Sequence, residues 1–129
     1  MIGLFLLTHS TYGEALIQCA CHVLNKRPLQ TVQLGVAAQD DPLDALPLAR
    51  GMLKQVDTGS GVLILTDIYG ATPSNLAMKL LEPGRIEGIA GVNLPMLLRA
   101  LNYRDRDMGT LVTRAVAGGR DGVLNMLNH

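Results

Sequence analysis

Tryptophan is absent from the 129-residue chain, phenylalanine occurs once and tyrosine three times. That is too few rings for a base-stacking surface, and it weakens any idea of aromatic platforms for sugar binding. Neither sign of charge is in excess, because 11 basic side chains balance 11 acidic ones. No global field therefore draws in nucleic acid or anionic lipid, and partners must be recognised by a local site. No apolar run is long enough to span a bilayer, and no basic region precedes a cleavage site at the N-terminus, so a cytoplasmic location is expected. Cysteine is scarce too. Cys19 and Cys21 stand two positions apart in a helical pattern, where side chains diverge by about 200° and suit neither one metal ion nor one disulfide. They read as small apolar residues or idle thiols, and His22 and His129 read as surface groups. The chain has no G-x-x-x-x-G-K-[ST] loop and no G-x-S-x-G elbow, so nucleotide hydrolysis and esterase action lack their usual equipment.

What is abundant is apolar sequence in short runs. Hydrophobic residues make up 48% of the chain, enough for one compact core, and a single domain over 1–129 is expected. Apolar runs at 2–8, 30–36, 61–66 and 86–92 read as strands, and the 61–66 run, GVLILT, is continuous enough to be buried on both faces. Helical spacing fills 11–25, 42–56 and 73–81, with Thr72 expected as an N-cap before Pro73. Asn93 and Pro95 open another helix, and a last one begins at Asp107 and is expected to break at Gly118-Gly119. Strands alternating with helices predict an α/β fold of three α/β/α layers around a mainly parallel sheet. If the second strand lies outside the first, the order is 2-1-3-4.

Two strand ends echo each other: LLTHSTYG and ILTDIYGATPSN. His9 ends the first strand and Asp67 the third, so the two side chains meet in one crevice where the sheet reverses direction. A carboxylate that takes the proton of one ring nitrogen fixes the imidazole tautomer and leaves the other nitrogen free to attack. Such a pair carries an acyl or a phosphoryl group. The surrounding Ser, Thr and Gly favour phosphoryl, because Ser10, Gly70, Ala71 and Thr72 supply backbone donors and a hydroxyl for an anion. No metal, nucleotide or other cofactor is needed.

The motifs THS near the N-terminus, GVLILTDIYGATPSN at 61–75, AGVNLPMLL at 90–98 and GRDGV at 119–123 make the chain resemble the IIA components of the mannose family of the bacterial phosphoenolpyruvate:sugar phosphotransferase system. The resemblance covers essentially the whole chain. It implies that His9 accepts a phosphoryl group from phospho-HPr and passes it to a IIB component, with Asp67 in support. It also implies a homodimer in which an antiparallel C-terminal strand pairs with the other subunit's sheet, and GVLNML at 122–127 has a partial alternation that permits this. Departures from the family pattern touch the rim more than the chemistry. IYGA stands where sugar-transporting members often carry two glycines and a tryptophan, and Thr11 stands where bulkier residues are usual. The chain ends at His129 without a fused IIB domain, so a separate IIB protein is the expected acceptor. Two alternatives stay open: a phosphotransfer subunit of a dihydroxyacetone kinase system, which DIYGATPSN argues against, and a regulator that reports phosphorylation state without serving transport. Asn93, Pro95, Met96 and Leu97 are expected to line the rim and touch the partner. Arg99, Arg104 and Arg106 stand among Asp105 and Asp107, which leaves an electropositive edge and a plain solvated surface equally open.

Overall fold

The strand at the centre of the sheet, β1 (Gly3–His9), is buried along nearly its whole length. The computed structural model describes residues 1–128. After β1 come α1 (Tyr12–Leu24), β2 (Thr31–Val36), α2 (Pro42–Val56), β3 (Val62–Thr66), α3 (Thr72–Met78), β4 (Ile86–Ala90), α4 (Leu94–Tyr103) and α5 (Met108–Asp121). All strand pairs are parallel, in the order β2-β1-β3-β4, as the alternation of elements predicts.

The period of two along each strand splits the apolar side chains between two cores. Leu4, Leu6, Leu63 and Leu65 pack with residues of α1, α4 and α5 on one face. Phe5, Leu7, Val62 and Ile64 pack with residues of α2 and α3 on the other. Strands covered on both faces must be apolar on both, which is why β1 and β3 read as unbroken runs.

Three expectations need correction. Residues 122–127 form no strand: α5 continues through Gly118 and Gly119 to Asp121, and residues 122–128 contain only turns and irregular backbone. Both glycines are buried against α4, where a Cβ on Gly119 would meet the Met96 side chain and one on Gly118 the Arg99 side chain. They serve close helix packing rather than a break. The second correction concerns Met96 and Leu97, which are 5% and 0% exposed and belong to the α1/α4/α5 core. They cannot form a partner rim, because the helix that Asn93 opens turns these adjacent residues inward. Asn93 and Pro95 are half-buried. The Asn93 Oδ1 accepts the Met96 N–H at 2.9 Å and its Nδ2 donates to the Gly119 carbonyl at 3.1 Å, tying α4 to α5.

Arg104 is the third. At 4% exposed it makes no electropositive edge, and its guanidinium donates to the carbonyls of Ile2, Leu29 and Gln30 and to the Thr31 hydroxyl. Burial lowers its pKa, with Asp105 acting in the opposite direction. The side chain clips the entries of β1 and β2 together at the end of the sheet remote from His9.

Candidate functional site

The register of the sheet fixes the site. His9, the last residue of β1, lies opposite Val36 of β2, and Asp67 follows the last residue of β3. The two strands are neighbours. Their carboxyl ends open at the point where the chain has gone to β2 on one side and β3 on the other, the place where parallel sheets leave a crevice.

The geometry there is compact. The His9 Nδ1 lies 2.9 Å from the Asp67 Oδ2, and that same oxygen accepts the His9 backbone N–H at 2.9 Å. The other carboxylate oxygen accepts the Ile68 N–H at 3.0 Å. Burial raises the Asp67 pKa, but the hydrogen bonds from the His9 backbone, the His9 ring and Ile68 outweigh it, and the net shift is downward. The carboxyl is therefore ionised at neutral pH and can only accept. Nδ1 must carry a proton, and Nε2 of a neutral ring keeps its lone pair. The His9 side chain is 29% exposed against 11% for Asp67, so the ring is reachable while its orienting group is shielded.

The chain leaves β1 through Ser10, which adopts a left-handed conformation at φ 47 and donates its N–H to the Val36 carbonyl at 3.0 Å. This turn crosses β2 so closely that a Cβ on Gly35 would run into the Ser10 carbonyl oxygen. Only a glycine at 35 lets the His9–Ser10 corner sit where it does. Thr11 occupies the cap position of α1 without making a capping bond. Instead the buried Thr8 hydroxyl accepts the Gly13 N–H at 2.8 Å. Glu14, which the Thr11 spacing suggests as a capping partner, is drawn away into an ion pair with Arg27 at 2.9 Å. The Tyr12 hydroxyl donates to the Val92 carbonyl at 2.8 Å, joining α1 to the loop before α4.

On the other side of the crevice, Ile68 and Tyr69 are exposed and Gly70 turns the chain at φ 86. Ala71, not Thr72, is the N-cap of α3. The Thr72 hydroxyl donates to the Ala38 carbonyl at 3.0 Å, fastening α3 to the loop after β2. The Gly70 N–H is also occupied, donating to the Ser74 Oγ at 2.7 Å. Of the four residues expected to cradle an anion, Gly70 and Thr72 thus spend one donor each inside the chain. The Ser10 hydroxyl makes no hydrogen bond among the described residues. Thr8 and Ser74 hydrogen-bond the backbone around the crevice and Gly35 gives the Ser10 turn room, and motif reading passes over all three. Their signal is weak, since a buried Thr or Ser in an apolar strand or a Pro-led helix looks the same whether or not its hydroxyl holds a loop.

An α/β domain with a reachable imidazole, held in one tautomer by a shielded carboxylate at the switch point of its sheet, has the make-up of a group-transfer protein. The chain belongs to the family described as "PTS system fructose IIA component", whose sequence model matches residues 3–116. It is 45% identical over 74 residues to the "PTS system mannose-specific EIIAB component" of Escherichia coli K12, covering 55% of this chain and 23% of that protein. To the "PTS system fructose-specific EIIA component" of Bacillus subtilis it is 44% identical over 54 residues, covering 41% of this chain and 37% of the relative. The matched part therefore spans well under half of either relative's length. Among solved structures, the phosphotransferase system component EIIA of Streptococcus agalactiae superposes with a TM-score of 0.87, at 19% identity and full coverage of both chains. The mannose/sorbose-specific IIA subunit of Enterococcus faecalis gives 0.83, at 22% identity over 96% of this chain and 93% of that one. At these identities the likeness concerns the fold, and both have the three-layer architecture described above. None of the helices among the described residues is long and apolar enough to cross a membrane.

Proposed function

We propose that the chain is a cytoplasmic phosphocarrier in which His9 takes a phosphoryl group from phospho-HPr and gives it to a separate IIB protein. The observation that carries this reading is the bond between the His9 Nδ1 and the Asp67 Oδ2 at 2.9 Å, together with membership of a family of phosphotransferase components. The Nε2 lone pair attacks the phosphorus of the donor's phosphohistidine, the new N–P bond forms as the donor's N–P bond breaks, and the donor imidazole leaves with that electron pair. The Nδ1 proton stays on the ring, held by Asp67. Transfer to IIB runs the same displacement with His9 as leaving group. Positioning and charge stabilisation are most of what such a transfer requires. Ser10, through its hydroxyl, and the amides of Ala71 and Thr72 hold the phosphoryl oxygens, while Gly70 shapes the turn that brings them in. Asn93 and Pro95 remain at the partner-facing edge, and the exposed Ile68 and Tyr69 form its apolar part. Incubated with phosphoenolpyruvate, HPr and the enzyme that charges HPr, the protein gains one phosphoryl group per chain, and an added IIB protein removes it. A protein that stays unlabelled when HPr is fully charged contradicts the reading.

The functional unit is a homodimer. Val123, Leu124 and Leu127 are 75%, 61% and 93% exposed and belong to neither apolar core. The open edge of β4 is flanked by the exposed Met78 and Leu81 and by an apolar cavity of about 80 Å³ that both residues line. Packing of the C-terminal segment of one copy against this edge of another would cover both features. Deleting residues 123–129 is expected to convert a dimer into monomers or aggregates in sedimentation velocity. A truncated protein that remains a well-behaved dimer rules out the tail as the clasp.

A further inference from the structure

Ser74 lies on α3, outside the reacting pair, and is 4% exposed. Its Oγ accepts the Gly70 N–H at 2.7 Å and donates to the Ala71 carbonyl at 3.1 Å. That carbonyl also accepts the Asn75 N–H at 2.9 Å, the first turn of α3. One buried hydroxyl therefore holds two adjacent residues, Gly70 and Ala71, at the helix end of the loop that connects Asp67 to α3. The arrangement resembles the back-reaching half of a capping box, displaced by one residue so that the hydroxyl grips the residue before the cap. The loop needs such a grip. Its outer residues, Ile68 and Tyr69, are exposed by 60% and 76% and contribute little packing, and Gly70 sits in the left-handed region, where a glycine backbone is otherwise free to wander. Asp67 is the first residue of this segment, and the Ile68 N–H that holds its Oδ1 at 3.0 Å is the second. Whatever fixes the loop fixes the face that the carboxylate turns to His9.

We propose that Ser74 is a positioning residue for phosphoryl transfer, its hydroxyl holding the Gly70–Ala71 turn so that Asp67 and the Ile68 amide stay aligned on the His9 ring. The rate consequence rests on the phosphohistidine reading; the geometric one does not. Ser74→Ala takes the acceptor from the Gly70 N–H and one of two donors from the Ala71 carbonyl, which keeps only the Asn75 N–H, and so frees the turn. The variant should fold, because a hydroxyl is removed without opening an apolar cavity.

Two measurements together test this. The first is the rate of His9 phosphorylation by phospho-HPr in a double-mutant cycle with Asp67→Asn. Ser74→Ala alone is expected to slow phosphorylation roughly 5- to 20-fold. In the Asp67→Asn background it should slow it by less than about twofold, because the carboxylate through which it acts is gone. Ser74→Thr, which keeps the hydroxyl and places its methyl beside the small cavity that Ser74 lines, recovers most of the rate. The second needs no phosphoryl donor: the imidazole nitrogen resonances of His9 and the hydrogen exchange of the Ile68 and Gly70 amides. In Ser74→Ala the Nδ1 proton and both amides exchange faster, while the strand amides of β1 and β3 are unchanged. Equal slowing in both backgrounds, or a lowered melting temperature with unaltered His9 resonances, makes Ser74 a purely structural residue and overturns the proposal. If the wild-type protein takes no phosphoryl group at His9, the proposed function falls, and the resonances still decide the role of Ser74.

Discussion

Asp67→Asn is expected to slow phosphorylation of His9 by roughly 10- to 150-fold without abolishing it, as loss of a charged orienting hydrogen bond costs about 1.5–3 kcal/mol. The asparagine side chain keeps the shape and can still accept through its oxygen, but it cannot stabilise the charge that builds on the ring as Nε2 forms its bond to phosphorus. The same oxygen also holds the His9 backbone N–H, so the amide must divide a weaker acceptor between two donors. Stopped-flow phosphorylation by phospho-HPr reads the effect. A rate within about twofold of wild type would remove Asp67 from the transfer step, since that is a change of only about 0.4 kcal/mol. The substitution has a second signature in the pH dependence of stability. The Asp67 pKa is lowered on folding, so its ionised form stabilises the fold above the unfolded carboxyl value of about 3.9, and this contribution is lost as the pH falls through the lower folded value. Wild type and Asp67→Asn should therefore differ most in denaturant midpoint at neutral pH and converge in acid. A difference that grows on acidification contradicts the assigned direction.

Gly35→Ala is expected to damage the site out of proportion to its size. Gly35 is paired with Thr8 across β1 and β2, and the added methyl would occupy the space of the Ser10 carbonyl oxygen. Backbone is met here, not the end of a flexible side chain, so the left-handed corner at Ser10 has to move and carries His9 with it. Overpacking of this kind costs about 1–3 kcal/mol in stability, which a chemical melt would detect. The larger loss is in transfer, because a misplacement of about 1 Å at a reacting group is worth on the order of 100-fold in rate. Folded, thermally stable Gly35→Ala with an undiminished phosphorylation rate would mean that the corner is free to adjust and that β2 does not set the position of His9.

Much of this was legible in the sequence because the physics is local. Strands buried on both faces must be apolar runs, and the residues that end them, His9 and Asp67, stand out as polar letters after LFLLT and LILT. Their meeting in one crevice followed from placing the second strand outside the first, the order that the sheet has. Other features depend on which face a residue turns inward, and periodicity does not decide that inside NLPMLL, where Met96 and Leu97 enter the core and leave only Asn93 and Pro95 at the edge. Arg104 reads as one more charge in an Arg/Asp cluster. Its burial depends on three carbonyl groups brought together only when β1, the approach to β2 and the end of α4 converge. The same holds for Gly35 and Ser74, whose importance comes from a backbone corner and a loop that lie beside them only in the folded chain. The segment 122–127 has the partial alternation of a strand, yet a strand needs a neighbour, and among the described residues it pairs with none.

The decisive observation is where the phosphoryl group goes. Charged through phosphoenolpyruvate and HPr, then split into acid- and base-treated samples and mapped by mass spectrometry under neutral conditions, the protein should carry one phosphoryl group on His9. It should be labile in acid and stable in base, as expected of a phosphoramidate whose ring nitrogen leaves when protonated, and His9→Ala should carry none. Full labelling of His9→Ala, or an acid-stable phosphate on Ser10, Thr11 or Thr72, would contradict the assignment and reduce His9 to the end of a strand.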